Sequence, residues 1–295
     1  MLRRAEEDIM RYCFLRYPEG KFKAVTLSYD DGIKADLKLA EIIDKYGIKC
    51  TFNINSNAFD GKNQNKLTVD EIKEFIIDKG HEVAVHGERH IAPGIASPVI
   101  AIADVLNCRL AMEKEFSMIV RGMAYPDSGI TRMHSGNDYD TVREYLKSLG
   151  IIYSRTLSGD NDSFMLPTDW YAWMPTAHHN NKNLQTWADN FANIKESELY
   201  LTRQYPRLFY LWGHSYEYNN NDNWDVLESF CKTVAGKEDT WYATNIEICE
   251  YVKAYESLVT SADGNRIYNP TLKEVWMSID GKLFSVKPGE TLVLQ

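Results

Sequence analysis

The sequence carries two short polar segments whose residue types could bind a divalent metal. The first contains the adjacent carboxylates Asp30 and Asp31, and the second contains His86 and His90, which are spaced by about one helical turn. Three nitrogen or oxygen ligands leave coordination positions open for water or substrate, which is typical of a catalytic rather than a structural metal site. A remaining carboxylate could take a proton from that water. The pattern therefore predicts a hydrolase.

The composition favours a globular protein that acts on a neutral substrate. The chain has 295 residues, of which 44% are hydrophobic and 25% charged, and a net charge of -9. An acidic chain with no long run of Lys or Arg argues against nucleic acid or an anionic membrane as the partner. The five cysteines form no C-x-x-C pair, and we expect reduced thiols in the core.

The sequence shows no export signal and no membrane span. Acidic residues follow the basic start of the chain, where a signal peptide would have an apolar segment. No stretch approaches the ~20 apolar residues that a membrane-spanning helix needs. We therefore expect a cytoplasmic protein, and the oligomeric state is left open.

Short apolar runs alternate with helix-periodic segments along most of the chain. Three helix-to-strand joints contain a glycine, at Gly47, Gly80 and Gly150, as expected of the left-handed cap that turns a helix back into a sheet. Strands separated by helices predict a distorted (β/α) barrel of seven or eight strands. The predicted helices include 35–46, 69–79 and 245–258. The predicted strands are Ala24–Ser28, Cys50–Ile54, His81–Val85, Ile119–Ala124, Ile151–Ser154, Asp169–Met174, Leu208–Trp212 and Thr240–Ala243.

After residue 260 the alternation of predicted strands and helices ends. Two β-rich runs, 275–279 and 282–286, flank an Asp-Gly pair, which indicates a β-hairpin. We divide the chain into an N-terminal extension (1–21), the barrel (22–260) and a small C-terminal β appendage (261–295).

The polar candidates all follow predicted strands at the same end. The carboxylate pair follows the first strand, the histidine pair follows the third, Tyr125 ends the fourth and His214 follows the seventh. The carboxyl ends of barrel strands form the face on which active sites are built. An Asp-Asp-Gly segment by itself is often only a turn with a helix cap, so this shared edge is what favours a site.

With these motifs in view, residues 22–258 resemble the polysaccharide deacetylases, the nodulation-deacetylase-like carbohydrate esterases of family four, which have a distorted (β/α) barrel. The first family motif, Thr-Phe-Asp-Asp-Gly, is matched by Ser-Tyr-Asp-Asp-Gly at residues 28–32. The resemblance implies that Asp30 is the catalytic base and that Asp31 is a metal ligand.

The second family motif, His-Ser/Thr-x-x-His, is matched at residues 86–90. By resemblance, His86 and His90 complete the set of metal ligands. Gly87 replaces the hydroxyl residue of the motif, so a supporting hydrogen bond in this loop is missing from the expected pattern.

The remaining family motifs are matched in part. The third, an Arg-x-Pro-Tyr-Gly type, corresponds to Arg121 through Pro126, and it implies that Arg121 pairs with Asp30 and that the N–H of Tyr125 stabilises the oxyanion. The fourth survives as Asp169-Trp170 without its first carboxylate, so the partner of the catalytic histidine is not identified. The fifth implies that His214 is the general acid.

The resemblance implies deacylation assisted by a metal, with an acetylated carbohydrate as substrate. An N-acetylated sugar or oligosaccharide is the expected substrate, and an O-acetyl ester is the alternative. Zn²⁺ suits the ligands best, while Co²⁺, Fe²⁺ or Ni²⁺ could replace it. Aromatic and imidazole rings near the strand ends are candidate substrate contacts, namely Trp170, Tyr125, His179 and Tyr216.

Two other functional classes remain open at this stage. Two histidines and one carboxylate also bind iron in non-haem oxygenases, but these normally have all-β barrels, whereas this sequence alternates strands and helices. A catalytically silent carbohydrate-binding protein on the same fold is the other alternative. The incomplete third and fourth motifs favour it, and the intact ligand and base positions argue against it.

Overall fold

The computed structural model describes residues 12–134, 136–157 and 159–294. A short strand, β1 (Cys13–Arg16), precedes eight parallel strands. These are β2 (Lys23–Asp30), β3 (Cys50–Ile54), β4 (Glu82–Val85), β5 (Gly122–Ala124), β6 (Tyr153–Arg155), β7 (Ala177–His178), β8 (Arg207–Gly213) and β9 (Thr240–Tyr242). The helices are α1 (Ala35–Lys45), α2 (Val69–Ile72), α3 (Pro98–Phe116), α4 (Tyr139–Ser148), α5 (Leu184–Asn193), α6 (Ser215–Asn221), α7 (Trp224–Val234) and α8 (Asn245–Glu256).

The parallel strands form a closed but irregular barrel. Their order is β6-β5-β4-β3-β2-β8-β7, and β9 pairs with the first half of β2 while β3 pairs with its second half. Trp173, on the segment that leads into β7, bridges to Arg155 at the end of β6 and so joins the two edges of the sheet. The predicted distorted (β/α) barrel is therefore confirmed.

Burial explains why the barrel forms from this sequence. Every residue of β2 is buried, as expected for a parallel strand that is covered on both faces. The glycines of the three predicted joints all have left-handed φ values, of 64°, 75° and 71°. Thr68 and Glu71 form a capping box at the start of α2, which continues as a π-helical turn over Lys73–Ile77.

One predicted strand is wrong. The segment Asp169–Met174 contains a short 3-10 helix, Trp170–Ala172, and the strand at this position of the barrel is β7. The carboxylate of Asp169 accepts a hydrogen bond from the N–H of Tyr171 (2.8 Å), which favours a turn over an extended chain. Trp173 of this segment packs into the core and Trp170 packs against it, whereas Met174 is exposed.

The C-terminal residues form small antiparallel sheets. Strands β12 (Val275–Ile279) and β13 (Lys282–Val286) pair around Asp280 and Gly281, which confirms the predicted hairpin. Strand β1 pairs with β12, so the N-terminal segment adds a third strand to the hairpin. A second sheet consists of β10 (Val259–Thr260), β11 (Arg266–Tyr268) and β14 (Thr291–Val293). The domain boundaries themselves stay a prediction.

Two further sequence expectations can be compared with the structure. All five cysteines are free thiols, and four of them are buried, in agreement with the prediction. Within the described residues, no helix has the length and apolar character that crossing a membrane requires.

Candidate active site

The three predicted metal ligands lie together at the carboxyl end of the barrel. Asp31 follows β2, and the loop after β4 carries both histidines. The Oδ1 atom of Asp31 lies 3.9 Å from Nε2 of His86 and 3.7 Å from Nε2 of His90. Asp31 and His90 both have positive φ values, of 83° and 60°, which non-glycine residues adopt rarely.

The donor atoms of this cluster fit a divalent metal. Nδ1 of His86 donates a hydrogen bond to the carbonyl of Ala124 (2.9 Å), so the lone pair of the neutral ring is on Nε2. This Nε2 atom is buried and has no hydrogen-bond partner among the described residues. Burial lowers the pKa of His86 to about 4, which keeps the ring neutral. The three residues could therefore hold a metal through one carboxylate oxygen and two imidazole nitrogens.

A carboxylate on α3 supports the ligand loop. Asp104 is buried, and its Oδ1 and Oδ2 atoms accept hydrogen bonds from the N–H groups of Arg89 (2.8 Å) and Ile91 (3.4 Å). A Cβ atom on Gly87, which has a φ of 76°, would lie 2.2 Å from Oδ2 of Asp104. The carboxylate therefore occupies the space that a side chain at position 87 would need. It also accepts hydrogen bonds that hold this loop, which the sequence analysis expected from a hydroxyl residue at position 87.

Replacing Asp104 by alanine is expected to weaken metal binding. The loop N–H groups lose their acceptor, so the position of His90 is less restricted, and loss of such supporting contacts typically costs about 10- to 100-fold in metal affinity. Competition with a chromogenic chelator measures the affinity without any need for activity. Asn107→Ala is the matched control, because Asn107 lies on the same helix and contacts only the side chain of Glu88 in this loop. Equal affinities in both variants would contradict the assigned role.

Asp30 lies next to the ligand cluster but faces a different set of groups. It is only 2% exposed, and its Oδ1 atom accepts a hydrogen bond from Nδ2 of Asn53 (2.8 Å). Its Oδ2 atom accepts a hydrogen bond from Nη2 of Arg155 and lies 3.9 Å from Nε2 of His214. Burial alone would raise the pKa of Asp30, but Arg155, with His214 and the hydrogen bond from Asn53, outweighs it and lowers the pKa. The carboxylate therefore stays ionised.

The arginine beside Asp30 is not the predicted one. Arg121 forms an ion pair with Glu250 of α8, whereas Arg155, at the end of β6, pairs with Asp30. The guanidinium of Arg155 is fully buried and stacks over the ring of Trp212 at 4.3 Å. Arg155 is one residue beyond a predicted strand, at the edge where the other site residues lie, and this position is the signal that could have identified it.

His214 follows β8 and has a carboxylate partner on α6. Its Nδ1 atom lies 3.0 Å from Oε1 of Glu217. Burial would lower the pKa of His214, but the hydrogen bond with Glu217 and the charges of Asp30 and Asp31 raise it above its ordinary value. The ring is therefore poised to carry a proton. Glu217 was missed from the sequence, although its spacing of three residues from His214 is the one that brings side chains together on a helix.

Part of this chain is similar to a known protein family. Residues 17–153 match the family described as polysaccharide deacetylase. This match covers the barrel from the start of β2 to the start of β6, including the carboxylate pair and both histidines, and it confirms the resemblance drawn from the motifs. This match supports deacetylase activity. No curated protein sequence matches the chain.

Solved structures share the fold of this chain at low sequence identity. A candidate polysaccharide deacetylase from Mycobacterium smegmatis has a TM-score of 0.55 and 16% identity, with 84% of this chain and 96% of that chain covered. Puue allantoinase has a TM-score of 0.53 and 12% identity, with 79% and 91% covered. The Streptococcus pyogenes deacetylase PplD has a TM-score of 0.39 and 21% identity over 44% of this chain, which spans about half (54%) of that protein. For the Mycobacterium smegmatis protein and the allantoinase, these values indicate a common fold only.

Tyr125 does not have the environment predicted for it at the candidate site. Its N–H donates a hydrogen bond to the carbonyl of Arg155 (3.0 Å), as part of the barrel, so it is not free to stabilise an oxyanion. Its ring is buried, and its hydroxyl donates to the carbonyl of Tyr171 (2.8 Å). The predicted roles of Tyr125 as oxyanion donor and substrate contact are therefore corrected to a structural one.

The other predicted substrate contacts differ in their surroundings. Trp170 packs edge-on against Trp173, with ring centroids 4.9 Å apart, beside the inner core of the barrel. His179 is buried, which removes it from the surface that a substrate could contact. Tyr216 is 39% exposed, and its ring lies 5.3 Å from that of His214. Its role as a substrate contact remains a prediction that the geometry allows.

Proposed function

We propose that this protein is a metal-dependent deacetylase that removes the acetyl group from an N-acetylated sugar or oligosaccharide. The observation that carries the proposal is the position of Asp30. Its Oδ2 atom lies 3.9 Å from a metal-ligand nitrogen, on His86, and 3.9 Å from Nε2 of His214. An ionised base thus lies between the ligand cluster and an imidazole whose pKa is raised, as general acid–base hydrolysis requires.

Two residues, Asp30 and His214, carry out the proton transfers of the reaction. Asp30 accepts the proton of the attacking water, while Asn53 and Arg155 hold its two oxygens in position. His214 then gives the proton on Nε2 to the departing amine, which leaves as the free amino sugar together with acetate. A divalent metal bound by Asp31, His86 and His90 would polarise the acyl oxygen and make its bound water more acidic. Zn²⁺ is the expected ion, with Co²⁺, Fe²⁺ or Ni²⁺ as alternatives.

A polar cavity beside the ligands suits a substrate rich in hydroxyl groups. The cavity has a volume of about 320 Å³ and opens next to Asp31 and His90. Asparagine amides and a lysine make up most of its remaining wall, and such groups donate and accept hydrogen bonds with sugar hydroxyls. The lining residues other than the two ligands are Asn55, Asn57, Ala58, Asn63 and Lys66.

The proposal is tested by measuring acetate released from a panel of N-acetylated and O-acetylated saccharides. Metal-stripped protein reloaded with Zn²⁺ or Co²⁺ is compared with the metal-stripped protein. Release that depends on the added metal and favours the N-acetyl substrates is the expected result. Release from the O-acetyl substrates alone would favour an esterase. Glycan binding without any release would favour a silent carbohydrate-binding protein on the same fold.

A further inference from the structure

Glu217 contacts more groups than a simple partner of His214 would need. Its Oε1 atom faces Nδ1 of His214 (3.0 Å), whereas its Oε2 atom lies 3.1 Å from Nε2 of His179 and 3.6 Å from Nε2 of His178. Oε2 also accepts a hydrogen bond from the side-chain amide of Asn180. One carboxylate is thus surrounded by three imidazoles and an amide, which come from the ends of two neighbouring strands, β7 and β8.

The tautomer of His178 indicates what kind of cluster this is. Its Nδ1 atom accepts a hydrogen bond from the N–H of Asn180 (3.1 Å), so the hydrogen of the neutral ring is on Nε2. This Nε2 atom lies 3.6 Å from Oε2 of Glu217. His178, His214 and Glu217 are close enough to share a metal ion, but a metal would need the lone pair of this same Nε2 atom. The geometry therefore favours a cluster in which imidazole rings pack around the carboxylate of Glu217 over a second metal site.

His179 is fixed in its position by tight packing. Its ring lies between those of Tyr218, at 4.1 Å, and Tyr29, at 5.7 Å, and the hydroxyls of these two tyrosines hydrogen-bond to each other at 2.7 Å. A Cβ atom on Gly213 would lie only 2.0 Å from Nδ1 of His179. Glycine at this position is thus required for the ring to fit, and the ring in turn fixes one side of Glu217.

We propose that Glu217 is the positioning residue of His214, and that His178 and His179 hold Glu217 in the orientation this needs. The proposal deepens the proposed function, on which it rests, because it explains how the general acid works without the carboxylate of the fourth family motif. With Nδ1–H of His214 donated to Glu217, the proton available for transfer is the one on Nε2, the atom that faces Asp30. That proton passes to the leaving nitrogen, and His214 returns to its neutral form.

Several charged or titratable groups surround His214. Glu217 and Tyr216 lie on α6, Asp30 ends β2 and Asp31 follows it, and His178 and His179 lie at the end of β7. The carboxylates raise the pKa of His214, whereas burial lowers it. Burial also lowers the pKa of His179, so this ring adds no positive charge beside Glu217. Among these groups, only Glu217 is within hydrogen-bonding distance of His214.

The test compares wild-type protein with Glu217→Gln, which keeps the shape of the side chain and removes its charge. We expect kcat to fall roughly 10- to 100-fold. The descending limb of the pH profile should move to lower pH by about one unit or more, since an imidazole without its carboxylate loses its proton more readily. Glu217→Asp keeps the charge and should return the limb toward its wild-type position. Glu228→Gln, a partly exposed residue of α7 that pairs with Lys232, is the matched control.

A second readout separates this inference from the proposed function. NMR titration of the imidazole of His214, assigned with His214→Gln, reports its pKa whether or not the protein is active. A fall in this pKa in Glu217→Gln supports the inference. An unchanged pKa together with an unchanged pH profile would overturn it. Wild-type protein that releases no acetate would contradict the proposed function, and the NMR titration would still decide the role of Glu217. Thermal melting of each variant checks that it is folded.

Discussion

Replacing Asp30 by asparagine is expected to reduce acetate release by about 10²- to 10⁴-fold, the range that a general base contributes. The amide can still accept a hydrogen bond, but it cannot take a proton from water. Metal binding should persist, because the three predicted ligands are unchanged. Steady-state acetate release and the metal content of the same sample are the two measurements. Activity within a few-fold of wild type would show that Asp30 is not the base.

The control for this variant is a measurement of stability. Asp30→Asn leaves the buried guanidinium of Arg155 without its counter-charge, and breaking a buried ion pair costs about 3–5 kcal/mol. Chemical denaturation therefore accompanies the activity assay. A folded sample that binds metal but releases no acetate assigns the loss to chemistry rather than to unfolding.

Replacing Arg155 by methionine is expected to have the second largest effect. Asp30 would lose the charge that keeps it ionised in a buried site, and we expect kcat/KM to fall by about 100-fold or more, with a loss of about 3–5 kcal/mol in the free energy of unfolding. Arg121→Met is the matched control, because Arg121 pairs with Glu250 at a partly exposed site. We expect it to retain nearly full activity, since exposed ion pairs contribute about 1 kcal/mol or less.

The two arginine variants separate the motif-based assignment from the structural one. A large loss of activity in Arg121→Met, with Arg155→Met unaffected, would restore the pairing that the motif implied. Loss of activity in Arg155→Met alone would establish that the guanidinium beside the base comes from β6. Because both changes remove one positive charge, a general effect of net charge cannot account for a difference between them.

The grouping of Asp31, His86 and His90 could be predicted from the sequence because its signal is local. His86 and His90 lie on one loop, and the carboxylate pair directly follows a strand, so the spacing of a few residues brings each pair into place. The barrel was predictable for a similar reason, since glycine caps and apolar runs repeat with each strand and helix. The hairpin at Asp280 was indicated by its turn residues alone.

The arginine was mispredicted because its role depends on where a strand begins. Arg121 falls within the strand predicted at residues 119–124, but the observed strand, β5, begins one residue after it. Three residues of a strand span roughly 10 Å, so Arg121 lies at the amino end of β5, away from the site. Arg155 is 125 residues from Asp30 in the chain, and only closure of the barrel brings them together.

The partner of His214 was missed for a different reason. The family pattern directed attention to a carboxylate from the segment before β7, around Leu166 and Asp169. The structure supplies one from the first turn of α6 instead, where Glu217 needs only the local helical geometry to reach the ring. A search for carboxylates three or four residues from each candidate histidine would have found it.

The most direct test of the whole account is a titration of metal-stripped protein with Zn²⁺, monitored by acetate release from an N-acetylated oligosaccharide. The account predicts no release from the metal-free protein, a rise in rate that saturates near one equivalent of metal, and no recovery in His86→Ala. Release that is unchanged by metal removal, or full recovery in His86→Ala, would contradict it.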